Sequence, residues 1–496
     1  MTVITWRISK RCYVCAMAAA AVSSVLVGVT GPATVSAAPG PGAAGSLSLL
    51  GSKWGGKPAD DVALAGGKVN RADQDPGSLY TLGRATGARQ LWKHTDAAGR
   101  PLTGTGVTVA LLDSGVASVP GLDAVGKVVL GPDLSGSDTT TAGDEFGHGT
   151  FMAGLIAAQD PATNKDGRSV AAEAASPDVQ RGLAPDAGLL SVKLAGADGV
   201  VSVDAVIAGL AWTVAHRNDN GMHVRVVNLS FGADALQPYE EDPLAAAVEA
   251  AWRAGIVVVA SVGNDGANAG HVADPALDPF VLAVGASDPL GKVSGWGKPV
   301  LADYSQRVAT GRHADLVAPG TSVVSLRAPG STIDVANPQG LVAGDAARRL
   351  FRGSGTSQAA AVVSGSVALL LQAHPELTPD QVKATLVRTA EAIPSAGTDA
   401  GTGQIDLEQA LRAADDIAAK DALGLRTAVQ SFPSSTGLDG YTPDTLDGDW
   451  DGARWNGARW NGARWNGARW NGARWNGARW NGARWNGARW NGGDWS

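Results

Sequence analysis

The chain has almost no cysteine. Of 496 residues only Cys12 and Cys15 are cysteines, and both fall in an N-terminal stretch that reads as an export signal. That stretch has a basic start at Arg7, Lys10 and Arg11, an apolar run over 13–29, and the small residues Val35-Ser36-Ala37 ahead of Ala38. Removal of residues 1–37 leaves a mature chain with no thiol and no disulfide, so its stability rests on core packing together with any bound ions. No other apolar run is long and polar-free enough to span a bilayer, and no membrane anchor is expected in the mature chain. Positive charge is also short. Taking +3 for the signal and +5 for the tail from Asp449 (eight arginines against three aspartates) from the total of −7 leaves −15 for the body. This argues against nucleic acid as the body's partner and leaves a polyanion open as partner of the tail.

Residues 38–74 are rich in Gly, Ala and polar residues without a sustained period, as in a short pro-segment or linker. The folded domain is expected over 75–420, opening at Asp75-Pro76 and GSLYTLGRATGARQLW. From Val107 short apolar runs (VTVALL, LLSVKL, VRVVNLSF, IVVVAS, FVLAVGAS) alternate with helical stretches (VDAVIAGLAWTVAH, PLAAAVEAAWRAG). Runs of this kind suit strands buried on both faces, hence an α/β fold with a mostly parallel sheet covered by helices. Thr378-Pro379-Asp380-Gln381 is a capping box that opens the helix QVKATLVRTAEA, and a last helix is expected over 407–419. A Ser/Thr/Gly/Pro-rich linker over 421–448 leads to the tail at 449–496, where Gly-Ala-Arg-Trp-Asn recurs eight times from Gly452. A period of five matches neither helix nor strand, so no single amphipathic face is expected. Asn-Gly in every unit favours turns, and a flexible or turn-rich low-complexity tail is expected.

Three frames carry chemistry. Asp113 ends the strand VTVALL, at the end where open parallel sheets place ligands, and Gly115 lets the chain turn away beneath it. On its own it is a turn or capping aspartate. His148 stands between Gly147 and Gly149 at the entry to a small, apolar helix; most of the seven histidines are expected to be structural. Ser357, in GSGTSQAAAVVSG, enters a buried helix, where a free backbone N–H and the positive end of the helix dipole stabilise negative charge. By itself it is a plain helix-capping serine. The chain order Asp…His…Ser is one of several in which this triad occurs.

These frames resemble those of the subtilisin-like serine proteases, the subtilases. Further segments over about 75–415 fall in the family's order: Val192-Lys193-Leu194 before GADG, 227–232 as a substrate-binding strand, 261–264, and 315–320. The resemblance implies a three-layer, doubly wound sheet with helices on both faces, a monomer, and a secreted serine endopeptidase acting on proteins or peptides. It makes Ser357 the nucleophile, His148 the general base and acid, Asp113 its orienting partner, and Asn264 the side-chain donor of the oxyanion hole. Ser230, Phe231 and Gly232 on one side and Ser261, Val262 and Gly263 on the other become the edges of the substrate pocket, with 273–275 near its base. An inward Asp274 implies preference for a basic side chain; an outward one, the commoner fate of an aspartate before proline, implies a broad apolar pocket.

Two departures from the family are visible. Ala361 stands where a proline is usual, and a long polar insertion over 159–180 replaces a loop that binds calcium in many relatives. No cofactor is expected for catalysis, no metal ligand is assigned, and the insertion argues against calcium there. Two alternatives stand beside the general endopeptidase: a processing protease dedicated to exported proteins, and a catalytically idle envelope-binding protein. The Arg-Trp tail suits retention at the cell envelope through an anionic polymer or polysaccharide, or is a low-complexity expansion with little specific binding.

Overall fold

A computed structural model describes residues 72–137, 143–160, 179–233, 238–268, 270–288, 298–309 and 311–419, with short strand segments at 46–48, 53–54, 459–460, 463–464, 478–480 and 483–485. All belong to the second of two compact units, Ala43–Ser496. The signal, the linker over 421–448, most of the pro-segment and tail, and 161–178 of the polar insertion lie outside the described residues.

The core is a sheet whose strands come from the apolar runs. They are β1 (Thr108–Asp113), β2 (Val128–Asp133), β3 (Gly188–Lys193), β4 (Val224–Leu229), β5 (Val257–Ser261), β6 (Leu282–Asp288) and β7 (Leu316–Pro319). Their order is β2-β3-β1-β4-β5-β6, with β7 beside β6, all parallel; Val300–Leu301 adds a short antiparallel pairing to β6. Every residue of β1 and of β5 is buried, so both faces of the sheet are covered, as a parallel sheet requires. Strand order reverses direction at β1, and the carboxyl ends of strands flanking such a switch point are where doubly wound sheets open a crevice. Asp113 is the last residue of β1.

The helices follow their sequence signals closely. The six longest among the described residues are α1 (His148–Ala157), α2 (Val203–Ala215), α3 (Pro243–Arg253), α4 (Thr356–Ala373), α5 (Pro379–Thr389) and α6 (Leu407–Ala419), beside short helices at Leu79–Ala85, Ala88–Leu91 and Thr332–Ala336. In α5 the Thr378 hydroxyl accepts from Gln381 N–H (3.3 Å) and the Gln381 side chain accepts from Thr378 N–H (2.8 Å), a reciprocal cap; the helix ends three residues sooner than the sequence pattern suggests. Alone among the described helices, α4 is long and apolar enough by composition to cross a membrane, and it is buried in the core. Outside the main sheet, Val323–Leu326 pairs with Leu350–Ser354. Within 38–74 two short strands pair with the body: Ser46–Ser48 runs antiparallel to Val200–Ser202, and Lys53–Trp54 to Gly353–Ser354.

In the tail, Arg459–Trp460 pairs antiparallel with Ala463–Arg464, and Ala478–Trp480 with Ala483–Trp485. The five-residue period is thus compatible with local strand pairing, because two of its residues fall between the paired segments.

Candidate active site

The ends of β1, β4 and β5 and the starts of α1 and α4 bring the predicted residues to one edge of the sheet. Asp113 and His148 are both buried, and His148 Nδ1 lies 2.8 Å from Asp113 Oδ1 and 2.9 Å from Oδ2. Three glycines permit this approach. Gly115 and Gly147 have φ of +106° and +102°, where a side chain is strained. A Cβ on Gly149 would sit 2.0 Å from the carbonyl oxygen of Gly115. Glycine at 149 is therefore what lets the start of α1 rest against the turn after Asp113.

A polar network missed at the sequence level holds this pair. Asp144 is buried, and its carboxylate accepts from Gly147 N–H (2.6 Å), Thr150 N–H (2.7 Å) and the Ser114 hydroxyl (2.7 Å). It thereby satisfies donors at the start of α1, whose N-cap residue Gly147 has no side chain to do so. Burial pushes the Asp144 carboxyl above its usual pKa, against these hydrogen bonds. The Ser114 hydroxyl accepts from Gly149 N–H (3.0 Å), while Ser114 N–H donates to Asp113 Oδ1 (2.7 Å). Ser114 thus bridges Asp113 to Asp144. The available signal was Asp144 four residues before His148, which on its own reads as a turn.

Ser357 is the second residue of α4 and fully buried; its hydroxyl donates to the Ser230 carbonyl (3.0 Å), and the Ser230 hydroxyl donates to the Ser357 carbonyl (3.1 Å). Behind this clasp the Asn228 amide donates to Ser230 Oγ (2.8 Å) and accepts from the Ser364 hydroxyl (2.8 Å). The chain Ser364–Asn228–Ser230 ties β4 to α4. Asn264 Oδ1 accepts from Thr356 N–H (2.9 Å) and the Thr356 hydroxyl (3.0 Å), which caps α4 from outside its own segment. These bonds fix the amide so that Nδ2 is the remaining donor, and Nδ2 is buried without a hydrogen-bond partner. Gly263 adopts φ +110°, and a Cβ there would strike the Gln306 side chain at 1.8 Å.

The pocket segments are stitched together. Ala233 exchanges backbone hydrogen bonds with Asp274 (3.1 and 2.9 Å), and Ala273 N–H donates to the Val262 carbonyl (2.8 Å). Residues 273–274 therefore join 230–233 to 261–263. Ser230, Phe231, Gly232, Ser261, Val262 and Gly263 are all buried. Asp274 departs from the expected surface position: it is 8% exposed, and burial together with Asp242 and Asp278 pushes its carboxyl well above the usual pKa. Among the described residues no group of three or more His, Cys, Asp or Glu is placed to hold a metal ion. The ends of the polar insertion are tied by Asp160 N–H to the Gln180 carbonyl (3.0 Å) and by Arg349 to Asp160 (2.8 Å).

The subtilase family (Peptidase_S8) matches residues 104–411. Serine protease AprX of Bacillus subtilis (strain 168) is 36% identical over 314 residues, covering 62% of this chain and 65% of that protein, just under two thirds. Subtilisin Savinase of Lederbergia lenta is 35% identical over 313 residues, covering 63% of this chain and 93% of that protein. Among solved structures, fervidolysin from Fervidobacterium pennivorans, described as a keratinolytic enzyme related to subtilisin, superposes with a TM-score of 0.53 at 26% identity, over 74% of this chain and 51% of that one.

Proposed function

Because the chain belongs to the subtilase family of serine proteases, we propose that it is a secreted endopeptidase that cleaves peptide bonds through an acyl-enzyme held on Ser357. The observation that carries this reading is the pairing of His148 Nδ1 with both carboxylate oxygens of Asp113 (2.8 and 2.9 Å) at the carboxyl end of β1. That pairing puts the Nδ1 proton between ring and carboxylate, orients the imidazole and stabilises the imidazolium. It leaves Nε2 to take the proton of Ser357 as Oγ attacks the scissile carbonyl, and to return it to the leaving amine.

Ser357 Oγ rests on the Ser230 carbonyl, so attack begins with a rotation of its side chain toward His148. As the carbonyl oxygen becomes an oxyanion, Asn264 Nδ2 and Ser357 N–H supply the donors, aided by the dipole of α4. Water then repeats the cycle on the ester. Substrate runs along 230–232 and 261–263 as an added strand. The charged groups that act on buried Asp274 are Asp242 and Asp278, so we read its carboxyl as packed with these acids and turned from the substrate, and the pocket as broad and apolar; peptide libraries should show no enrichment of Arg or Lys before the cleaved bond.

Residues 38–74 are read as a pro-segment and the tail as a means of retention at the envelope. The test of the central reading is labelling by a fluorophosphonate probe, expected for the processed wild type and lost in Ser357→Ala. A correctly folded wild type that takes no label would instead favour an idle envelope-binding protein. Turnover of casein would favour a general protease over a dedicated processing one.

A further inference from the structure

None of the residues placed at the candidate active site lies in the Arg-Trp repeat. In the two described pairs the register sets Arg459 opposite Arg464 and Arg479 opposite Arg484. Trp460 is opposite Ala463, Trp480 opposite Ala483, and Ala478 opposite Trp485. Asn-Gly separates the two segments in both cases, the dipeptide favoured in two-residue hairpin connections. Successive strand positions alternate between faces. Arginine positions therefore fall on one face of each hairpin, and alanine and tryptophan positions on the other.

Like charges directly opposite each other weaken a strand pair, so each hairpin calls for counter-charge on its arginine face. The tail cannot supply it, with three aspartates against eight arginines. The body is acidic, and among its described residues the exposed large apolar side chains are Val125, Leu130, Val200 and Val335, with no aromatic ring among them. A bilayer presents charge and apolar interior from one side and cannot meet two opposite faces together.

We propose that each Asn-Gly hairpin of the tail is a binding unit for an acidic polysaccharide. The face of arginine positions suits its carboxylates, and the face of tryptophan and alanine positions suits its sugar rings. The proposal rests on the retention reading above and gives it a geometry.

The test is co-sedimentation of the full chain with polygalacturonate, neutral dextran, polyphosphate and phosphatidylglycerol vesicles. Salt-sensitive binding to polygalacturonate is expected, with none to dextran. Replacing the eight arginines by glutamine, or the tail tryptophans by alanine, should weaken binding at least about tenfold through lost avidity. The decisive variant changes the glycine of every Asn-Gly to valine, which keeps charge and tryptophan but cannot adopt the positive φ such a turn requires. It too should bind at least about tenfold more weakly. Unchanged binding by that variant overturns the hairpin unit, and equal or tighter binding to vesicles or polyphosphate overturns the ligand class. A chain ending at Gly448 that binds as well as the full chain defeats the retention reading itself, a distinct failure.

Discussion

Asn264 spends a hydrogen-bond donor on nothing in the resting protein. A buried unsatisfied donor costs about 1–3 kcal/mol, and Nδ2 is such a donor while Oδ1 is fully engaged by Thr356. The cost makes sense if the acceptor arrives with the transition state. Asn264→Ala should lower kcat by about 10²–10³ with KM changed little, the magnitude measured for this kind of loss in a subtilisin. Steady-state kinetics on a peptide substrate check it, and a drop in kcat below tenfold would remove Asn264 from the oxyanion role. Asp144 makes the opposite case, a carboxylate whose three accepted hydrogen bonds secure the start of α1. Asp144→Asn turns one acceptor toward these donors into a further donor. It should cost roughly 1–3 kcal/mol in urea unfolding; an unchanged midpoint would show that the network carries no stability.

At the level of elements, much of the architecture can be read from the chain and some cannot. β1, β3, β4, β5 and β6 are apolar runs buried on both faces, and the capping box marks α5. The strand β2 is partly exposed along its length and contains Gly131 and Pro132, so it lacks both alternation and an apolar run. Val323–Leu326 and Leu350–Ser354 are neighbours across a long connection with no hairpin turn to announce them. At the site, Asp113, His148 and Ser357 were visible through their frames, but Asn264 only through family resemblance. Asp144 and Asn228 act on partners 30 and 136 residues away, Ser114 and Ser364, and no local pattern encodes such contacts. One tight junction at the site is Gly149 against Gly115, where a Cβ would sit 2.0 Å from the Gly115 carbonyl oxygen. Gly149→Ala should abolish measurable activity, because either the start of α1 or the turn after Asp113 must move. Gly143→Ala, where a Cβ meets nothing within 4 Å, should leave activity near wild type. An active Gly149→Ala enzyme would refute the close approach.

For the whole molecule, pH acts through buried acids. Asp278 is fully buried with Oδ2 lacking a hydrogen-bond partner, and burial and then Glu249 raise its carboxyl well above the usual pKa. Such a group keeps its proton in the folded state after the unfolded chain, with its pKa near ~4, has released its own. Between those two values the folded state binds more protons, so stability falls as pH rises. Asp278→Asn removes this penalty. Its advantage over wild type should be small at pH 4 and grow toward pH 8, to roughly 1–3 kcal/mol. Urea midpoints at the two pH values measure it, and an advantage independent of pH would count against a raised carboxyl. Lys383 opposes the trend: burial lowers it to about 8 despite Asp315, so its contribution rises between that value and its unfolded one near ~10.4.

The clasp between Ser230 and Ser357 joins residues 127 apart, and the bond from Thr356 to Asn264 spans 92. Contacts of such sequence separation in a parallel sheet form late and slowly. On the reading proposed above, a nascent or partly unfolded copy therefore lacks a working nucleophile until β4, β5 and α4 have met. While a population of this protease is still folding, it is prey without being predator, and only copies that have finished can cut those that have not.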